Sequence, residues 1–180
     1  MAMKLITTNT LVSGDSASTA SFTGIDNTYK LYVFKFYDVN PVTNAATLSI
    51  NGSDDTSSHS YDIAKTTTFF RSINDEAAGG TAKIQYMTAN DVAEATGVAN
   101  IVESIGNGAD ESCAGEMYLF NPSSTVYVTH FFVTTHSYHD SDFAASHYVS
   151  GYFNTTAAIT AIQFTCSSNM DGVFKLYGVG

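Results

Sequence analysis

Hydrophobic and polar positions alternate with a period of two through much of the chain. In the segment 29–39, Tyr32, Phe34 and Phe36 fall on one side of an extended backbone, and Leu31, Val33 and Tyr37 on the other. Successive side chains of a strand point to opposite faces, so this segment predicts a strand that is apolar on both. Asn40-Pro41 ends it, because proline has no N–H for the ladder. Shorter β-branched and aromatic runs bounded by Gly, Asn, Asp and Ser predict strands at 5–12, 18–23, 47–51, 61–63, 66–72 and 83–87. Three more are predicted at the close of the chain, over 147–153, 158–166 and 172–179. Turn chemistry marks Gly14-Asp15-Ser16 and the segments 51–55 and 74–80. Asn121-Pro122-Ser123-Ser124 predicts a tight turn that joins 116–120 to 125–134 as a hairpin. One short helix is predicted within 90–95, with Asn90 as its cap, Asp91 and Glu94 in its first turns and Gly97 as its stop.

About ten strands without strand–helix alternation predict a single all-β domain over 1–180. The expected architecture is an antiparallel two-sheet β-sandwich, jelly-roll-like, with at most one short helix. Composition agrees. Charged residues are only 13% of the chain, so the water-facing surface must be built largely from Ser, Thr and Asn, which suits strands better than helices. Twelve Phe and 11 Tyr supply a sizeable core and argue against disorder.

The charge balance excludes several partners. With 17 acidic and 7 basic residues the net charge is −10, and Arg71 is the single arginine. Displacing phosphate counterions needs Lys and Arg, so nucleic acid is not an expected partner, and neither is an anionic membrane. No stretch approaches the roughly 18 apolar residues of a membrane-spanning helix. Met1-Ala2-Met3-Lys4-Leu5-Ile6 is not followed by an apolar run of signal-peptide length, so secretion is not expected. Cys113 and Cys166 are too few for a disulfide framework; reduced thiols are expected, with a bridge as the alternative.

The densest polar constellation is His130, His136, His139, Asp140, Asp142 and His147. His130 and His136 share strand parity, and a turn would bring His139 towards them. Neutral imidazoles with a carboxylate suit zinc or nickel. The simpler reading places these residues on a loop, 135–146, as solvated or inter-subunit polar contacts, so no metal and no other cofactor is expected. Asp140-Ser141-Asp142 and Ser53-Asp54-Asp55 lack the ligand density of a calcium loop. No Gly-x-Ser-x-Gly elbow occurs. The carboxylate pairs Asp110 with Glu116 and Glu103 with Glu111 lie in or beside a loop, and the chain has no Trp platform for a sugar. A non-enzymatic protein is expected. The doublets Phe69-Phe70 and Phe131-Phe132 must send one ring to each face of a strand. At least one ring of each therefore covers a second layer or meets a partner. Phe69, Phe70, Phe131, Phe132, Tyr152 and Phe153 are accordingly the candidate interface residues, and a homo-oligomer is expected.

The two ends of the chain carry a pattern of their own. Phe22-x-x-Ile25-x-x-x-Tyr29 opens it. Gly151-Tyr152-Phe153-Asn154-Thr155-Thr156, Ile159-x-x-Ile162 and a terminal Phe174-x-Leu176-Tyr177-Gly178 close it. In these motifs the chain resembles a β-sandwich virion module of tailed bacteriophages, of the marine and cyanobacterial phage type. The resemblance spans both ends and leaves roughly 51–110 unmatched. It brings no catalytic residues. It implies a structural protein of the virion, made in the host cytoplasm, whose partners are the major capsid protein or tail proteins. A capsid decoration or cement protein displayed on the particle surface is the favoured form. The alternative is a tail-fibre or tail-tip module that binds a host glycan or protein through the loops 51–59, 74–80 and 135–146.

Overall fold

The structure, a computed structural model, describes residues 2–12 and 17–180. Twelve strands follow one another: β1 (Met3–Leu11), β2 (Thr19–Thr23), β3 (Leu31–Pro41), β4 (Ala46–Ser53), β5 (Lys65–Asp75), β6 (Ala82–Tyr86), β7 (Ala99–Ile105), β8 (Cys113–Phe120), β9 (Thr129–His139), β10 (Phe143–Phe153), β11 (Ala161–Cys166) and β12 (Met170–Val179). All neighbours pair antiparallel. The main path runs β1-β12-β3-β8-β9-β7-β4-β11-β2. It comes back on itself, because Asn9 Nδ2 in β1 donates to Ser21 O in β2 at 2.9 Å. β10 leaves the path at β9 and carries β5 and then β6 beside it. The protein is therefore all-β, one antiparallel sheet nearly closed into a barrel.

The chain termini lie side by side. β1 pairs with β12 from Met3↔Val179 to Leu11↔Gly172, and Ala2 N donates to Gly180 O at 3.0 Å. Next to them sits an aromatic cluster centred on Phe164, whose ring centroid lies 5.4 Å from Phe174, 5.5 Å from Phe36, 5.6 Å from Phe34 and 6.2 Å from Phe22. The apolar positions of both terminal motifs point into this core: Phe22, Ile25, Ile159, Ile162, Phe174 and Leu176 are all buried. Gly178 is needed because Tyr29 lies across it; a Cβ there would come within 2.2 Å of the Tyr29 ring.

Several expected elements differ. The segment 61–63 is not a strand, although Ile63 is buried. The hairpin partner of β8 begins at Thr129, after a longer connection than the tight turn predicted. Ala99–Ile105 is a strand that the alternation pattern did not reveal. The loop expected over 135–146 is instead a hairpin, with β9 and β10 paired down to His139↔Phe143. The turn expected at Gly14-Asp15-Ser16 lies outside the described residues.

The helix expected within 90–95 is absent; only a 3-10 turn, Thr88–Asn90, precedes that segment. Its backbone N–H groups find tertiary partners instead of helical ones. Val92 N donates to Thr67 Oγ1 at 2.9 Å, Glu94 N to Thr66 Oγ1 at 3.2 Å and Ala95 N to Lys65 O at 3.3 Å. Asp91 accepts from Phe69 N at 2.8 Å rather than capping its own turn. Gly97, expected as a helix stop, offers its carbonyl to the buried Lys65 Nζ at 2.6 Å. Burial pulls the Lys65 ammonium down to about 8.

Replacing the central ring should be costly. Phe164→Ala is expected to lower the unfolding free energy by about 3–5 kcal/mol, because it opens a cavity among four other rings. Urea denaturation measures this, and the same change at half-exposed Phe132 should cost less than about 1.5 kcal/mol.

Candidate functional site

The parity of β8, β9, β10, β5 and β6 sorts their side chains onto two faces. Odd-numbered residues of β9 and β10 point inward: Phe131, Val133, Ala145, Val149 and Phe153 are buried. Even-numbered residues point outward, and many of them are rings. Cross-strand register places Tyr118 opposite Phe132, Tyr152 opposite His130, Tyr148 opposite Phe70, and Phe70 opposite Tyr86. The rings touch. Phe70 and Tyr148 stack at 5.0 Å, Tyr118 and Phe132 at 5.2 Å, and His130 meets Tyr152 edge-on at 5.9 Å. Phe70 keeps 42% of its surface exposed and Phe132 46%.

The strand positions of this face carry almost no charge, and carboxylates reach only its margins, where Tyr86 Oη donates to Asp91 and Tyr138 Oη to Glu76 at 3.0 Å. Among the outward strand positions of these five strands Glu116 is the only carboxylate, and Lys35 pairs with it at 3.2 Å. The opposite side of the molecule contrasts with it. There the outward positions of β2, β11 and β4 form rows of hydroxyls and amides, Thr19–Thr165–Ser49 and Ser21–Gln163–Asn51. Gln163 Nε2 donates to Ser21 Oγ at 2.9 Å and Ser49 Oγ to Asn100 Oδ1 at 2.9 Å.

A groove of about 350 Å³ crosses the aromatic face. Its walls are His130, Phe132 and Tyr152, and Thr66, Thr68, Ser150 and Gly151 contribute to the rest of its lining. Thr68 Oγ1 and Ser150 Oγ lie 3.0 Å apart. Gly151 keeps the chains close, since a Cβ would come within 2.5 Å of Thr66 O. His130 also lines a second hollow, of about 580 Å³, together with Phe120, Asn121, Val126 and Tyr127.

The structure divides the candidate interface rings. Phe70 and Phe132 are exposed on the aromatic face and Tyr152 is half-buried there. Phe69, Phe131 and Phe153 are corrected to core: each is at most 1% exposed, because strand parity turns the first ring of both doublets inward. Tyr86, Tyr118 and Phe120 complete the outer face and escaped the sequence reading. In β8 both parities are apolar, Met117 and Leu119 against Tyr118 and Phe120, so alternation alone does not show which side faces water.

The histidine constellation, the zinc or nickel alternative, does not converge. His130 and His136 point outward on one strand, six residues and thus roughly 20 Å apart. His139 has the opposite parity and is buried. Asp140 lies 2.7 Å from His139 Nδ1, and Asp142 sits in the hairpin turn. No three His, Cys, Asp or Glu side chains among the described residues are placed to hold a metal ion. The Asp55 carboxylate is taken by Ser60 Oγ at 2.6 Å, Ser60 N at 2.9 Å and Ser53 Oγ at 3.1 Å. These bonds, Ser60 foremost, hold its carboxyl below the usual range. Cys113 and Cys166 are buried free thiols, both pushed upward by burial.

Two of the histidines belong instead to a polar cluster beneath the aromatic face. Arg71 in β5 pairs with Glu103 in β7 at 2.5 Å, and Asn90 Nδ2 donates to the other Glu103 oxygen at 2.7 Å. Arg71 Nη1 lies 3.3 Å from His139 Nε2. Guanidinium nitrogens only donate, so His139 Nε2 accepts and its proton sits on Nδ1, facing Asp140. Thr135 Oγ1 donates to Ile101 O at 3.1 Å and lies 3.2 Å from His147 Nδ1, so that nitrogen donates to the hydroxyl. His147 Nε2 is left buried without a partner. Both imidazoles are thus neutral. Burial, helped by Arg71, His139 and His136, lowers the His147 imidazole to about 3. Burial also lowers His139, while Asp140 opposes the shift.

Compared with known proteins, the chain matches no family model, no curated protein and no solved structure.

The unfolded chain binds a proton at His147 below about 6.5, whereas the folded chain does so only near 3. Stability should therefore fall as pH drops through that window, by at most about 5 kcal/mol from this group. Chemical denaturation at a series of pH values checks this against His147→Gln. Wild type should lose more stability than the variant between pH 6.5 and 3; parallel curves would show that His147 is not held neutral.

Proposed function

We propose that this is a non-enzymatic virion protein, a capsid decoration protein that docks on the particle through its aromatic face. One observation carries the reading: the molecule is two-sided. One broad face presents stacked rings with few charges among its strand positions, and the other presents Thr19, Ser21, Gln163 and Thr165, with Ser49 and Asn51 buried beside them against Asn100 and Thr96. Contiguous exposed apolar surface of this kind marks an interaction site. A hydroxyl and amide surface tolerates permanent exposure to water. Such a division suits a protein that lies flat between a lattice and solvent, where many equivalent copies make modest contacts sufficient. The resemblance of both chain ends to phage virion modules points the same way. We read the architecture as a flattened jelly-roll-like sandwich. The strands β1-β12-β3-β8-β9-β10-β5-β6 form its broad layer and β7-β4-β11-β2 the other, with the single pair Ile105↔His139 joining them. The partner is the major capsid protein, with Phe70, Phe132, Tyr148 and Tyr152 as contacts.

The groove between Phe132, His130 and Tyr152 favours a second reading, a tail-tip module that binds a host glycan. Its aromatic walls and paired hydroxyls would suit the apolar edge and hydroxyl groups of a sugar ring.

A reconstruction of the purified particle tests the proposal. Hundreds of copies on the head, aromatic face inward, are expected; a dozen or fewer copies confined to the tail tip would establish the second reading instead. The double variant Phe132→Asp with Tyr148→Asp should lower occupancy at least tenfold, since central aromatic contacts each contribute about 1–2 kcal/mol or more. Thr165→Lys, on the hydroxyl face, should leave occupancy unchanged.

A further inference from the structure

We infer that β6 is a self-association edge, and that two copies of the chain join their broad layers by pairing β6 antiparallel with β6 about a two-fold axis through Ile84. The sheet leaves this edge open. β1 and β2 approach one another and are tied by Asn9, and β7 is flanked by β4 and β9. Among the described residues β6 pairs only with β5, on one side, through Ala82 to Tyr86. An exposed edge presents unpaired backbone N–H and C=O groups that another strand can complete. Natural edges are commonly blunted by charge, proline or a bulge. This one is regular over five residues, carries Lys83 as its only charge, and leaves Ile84 79% and Tyr86 57% exposed.

The strand's own sequence identifies a second copy as the occupant. Two-fold pairing centred on Ile84 sets Ile84 against itself, Lys83 against Gln85 and Ala82 against Tyr86, so all five residues find partners. No like charges meet, and each bulky ring faces a small side chain. Sliding the pairing two residues towards Lys83 sets two ammonium groups directly opposite, which is unfavourable. Sliding it two residues the other way loses Ala82 and recruits Met87, whose side chain packs on the core. A one-residue slip turns the second copy over and places Ile84 on the wrong face. In the favoured register both aromatic faces lie on the same side, and the row Phe70–Tyr86 ends against the small Ala82 of the second copy. The pairing does not depend on what the aromatic face binds. Five-residue strands bury less than a standard stable interface, so the dimer should be concentration-dependent in solution.

Directly opposed residues in an antiparallel pair have Cα atoms about 4.5–5.5 Å apart, within disulfide range. The native thiols are buried, so introduced cysteines at this exposed edge report alone. Under mild oxidation of the full chain, Ile84→Cys should give a covalent dimer of twice 19.2 kDa in high yield. Lys83→Cys alone should give little. An equimolar mixture of Lys83→Cys and Gln85→Cys should cross-link as a heterodimer. Light scattering should show wild-type mass rising with concentration, and Ile84→Lys should abolish that rise while leaving the melting temperature unchanged. Equal cross-linking of Ile84→Cys and Lys83→Cys would overturn the pairing. So would efficient dimerisation of Gln85→Cys without Ile84→Cys, or a monomeric wild type at every concentration.

Discussion

The register of the β9–β10 hairpin is the constraint on which the rest of the molecule depends. Its eleven residue pairs run without a bulge from Thr129↔Phe153 to His139↔Phe143. The turn that sets this register is short, with Asp142 in the left-handed region at φ 60° and its N–H donating to His139 O at 3.0 Å. β8 aligns on one side of the hairpin and β5 on the other, so each inherits the same parity. Because side chains alternate strictly, a slip of β10 by one residue against β9 would send Tyr148 and Tyr152 into the core and push Val149 and Phe153 into water. Core, aromatic face and polar cluster are three consequences of that one alignment.

The inner face of the hairpin changes character along its length. Phe131, Val133 and Phe153 pack as an ordinary core near one end, and Thr135, His139 and His147 meet Arg71 and Glu103 towards the other. Such buried ion pairs seldom add much net stability, because desolvation offsets the attraction. Losing one partner, however, would strand the other. The cluster ties β5, β7, β9 and the turn at Asn90 into one arrangement and disfavours other alignments of the layers. It needs a neutral His139 to do so, since only an unprotonated Nε2 can accept from Arg71. On the other side of the same strands the outward positions are rings and hydroxyls, with no comparable charge. At that end of the hairpin the sheet separates a buried polar cluster from rings and hydroxyls that face outward.

Much of the fold is legible in the sequence. The doublets Phe69-Phe70 and Phe131-Phe132 require opposite faces, and the structure places one ring of each inside and one outside. The Gly, Asn and Pro punctuation locates most strand ends within a few residues. Other features are illegible for identifiable reasons. Ala99–Ile105 carries Glu103, which breaks an alternation that Arg71, remote in sequence, and Asn90 make tolerable. The segment after Asn90 has every local signal of a helix start, but Thr66 and Thr67 take the N–H groups that a helix would use. The histidines read as a cluster because they are close in sequence, whereas parity places His136 and His139 on opposite faces.

By itself, then, the sequence determined the class of the structure: short extended segments, antiparallel, built around an aromatic core, with the terminal motifs as its inward-facing strands. Local alternation and turn chemistry suffice for that, because both act over a few residues. Tertiary structure alone decided which parity faces water, which strands neighbour each other and which edge stays open. Those outcomes rest on contacts between residues far apart in the chain, such as Arg71 with Glu103 and Phe22 with Phe164, and their energies appear only once the layers have met.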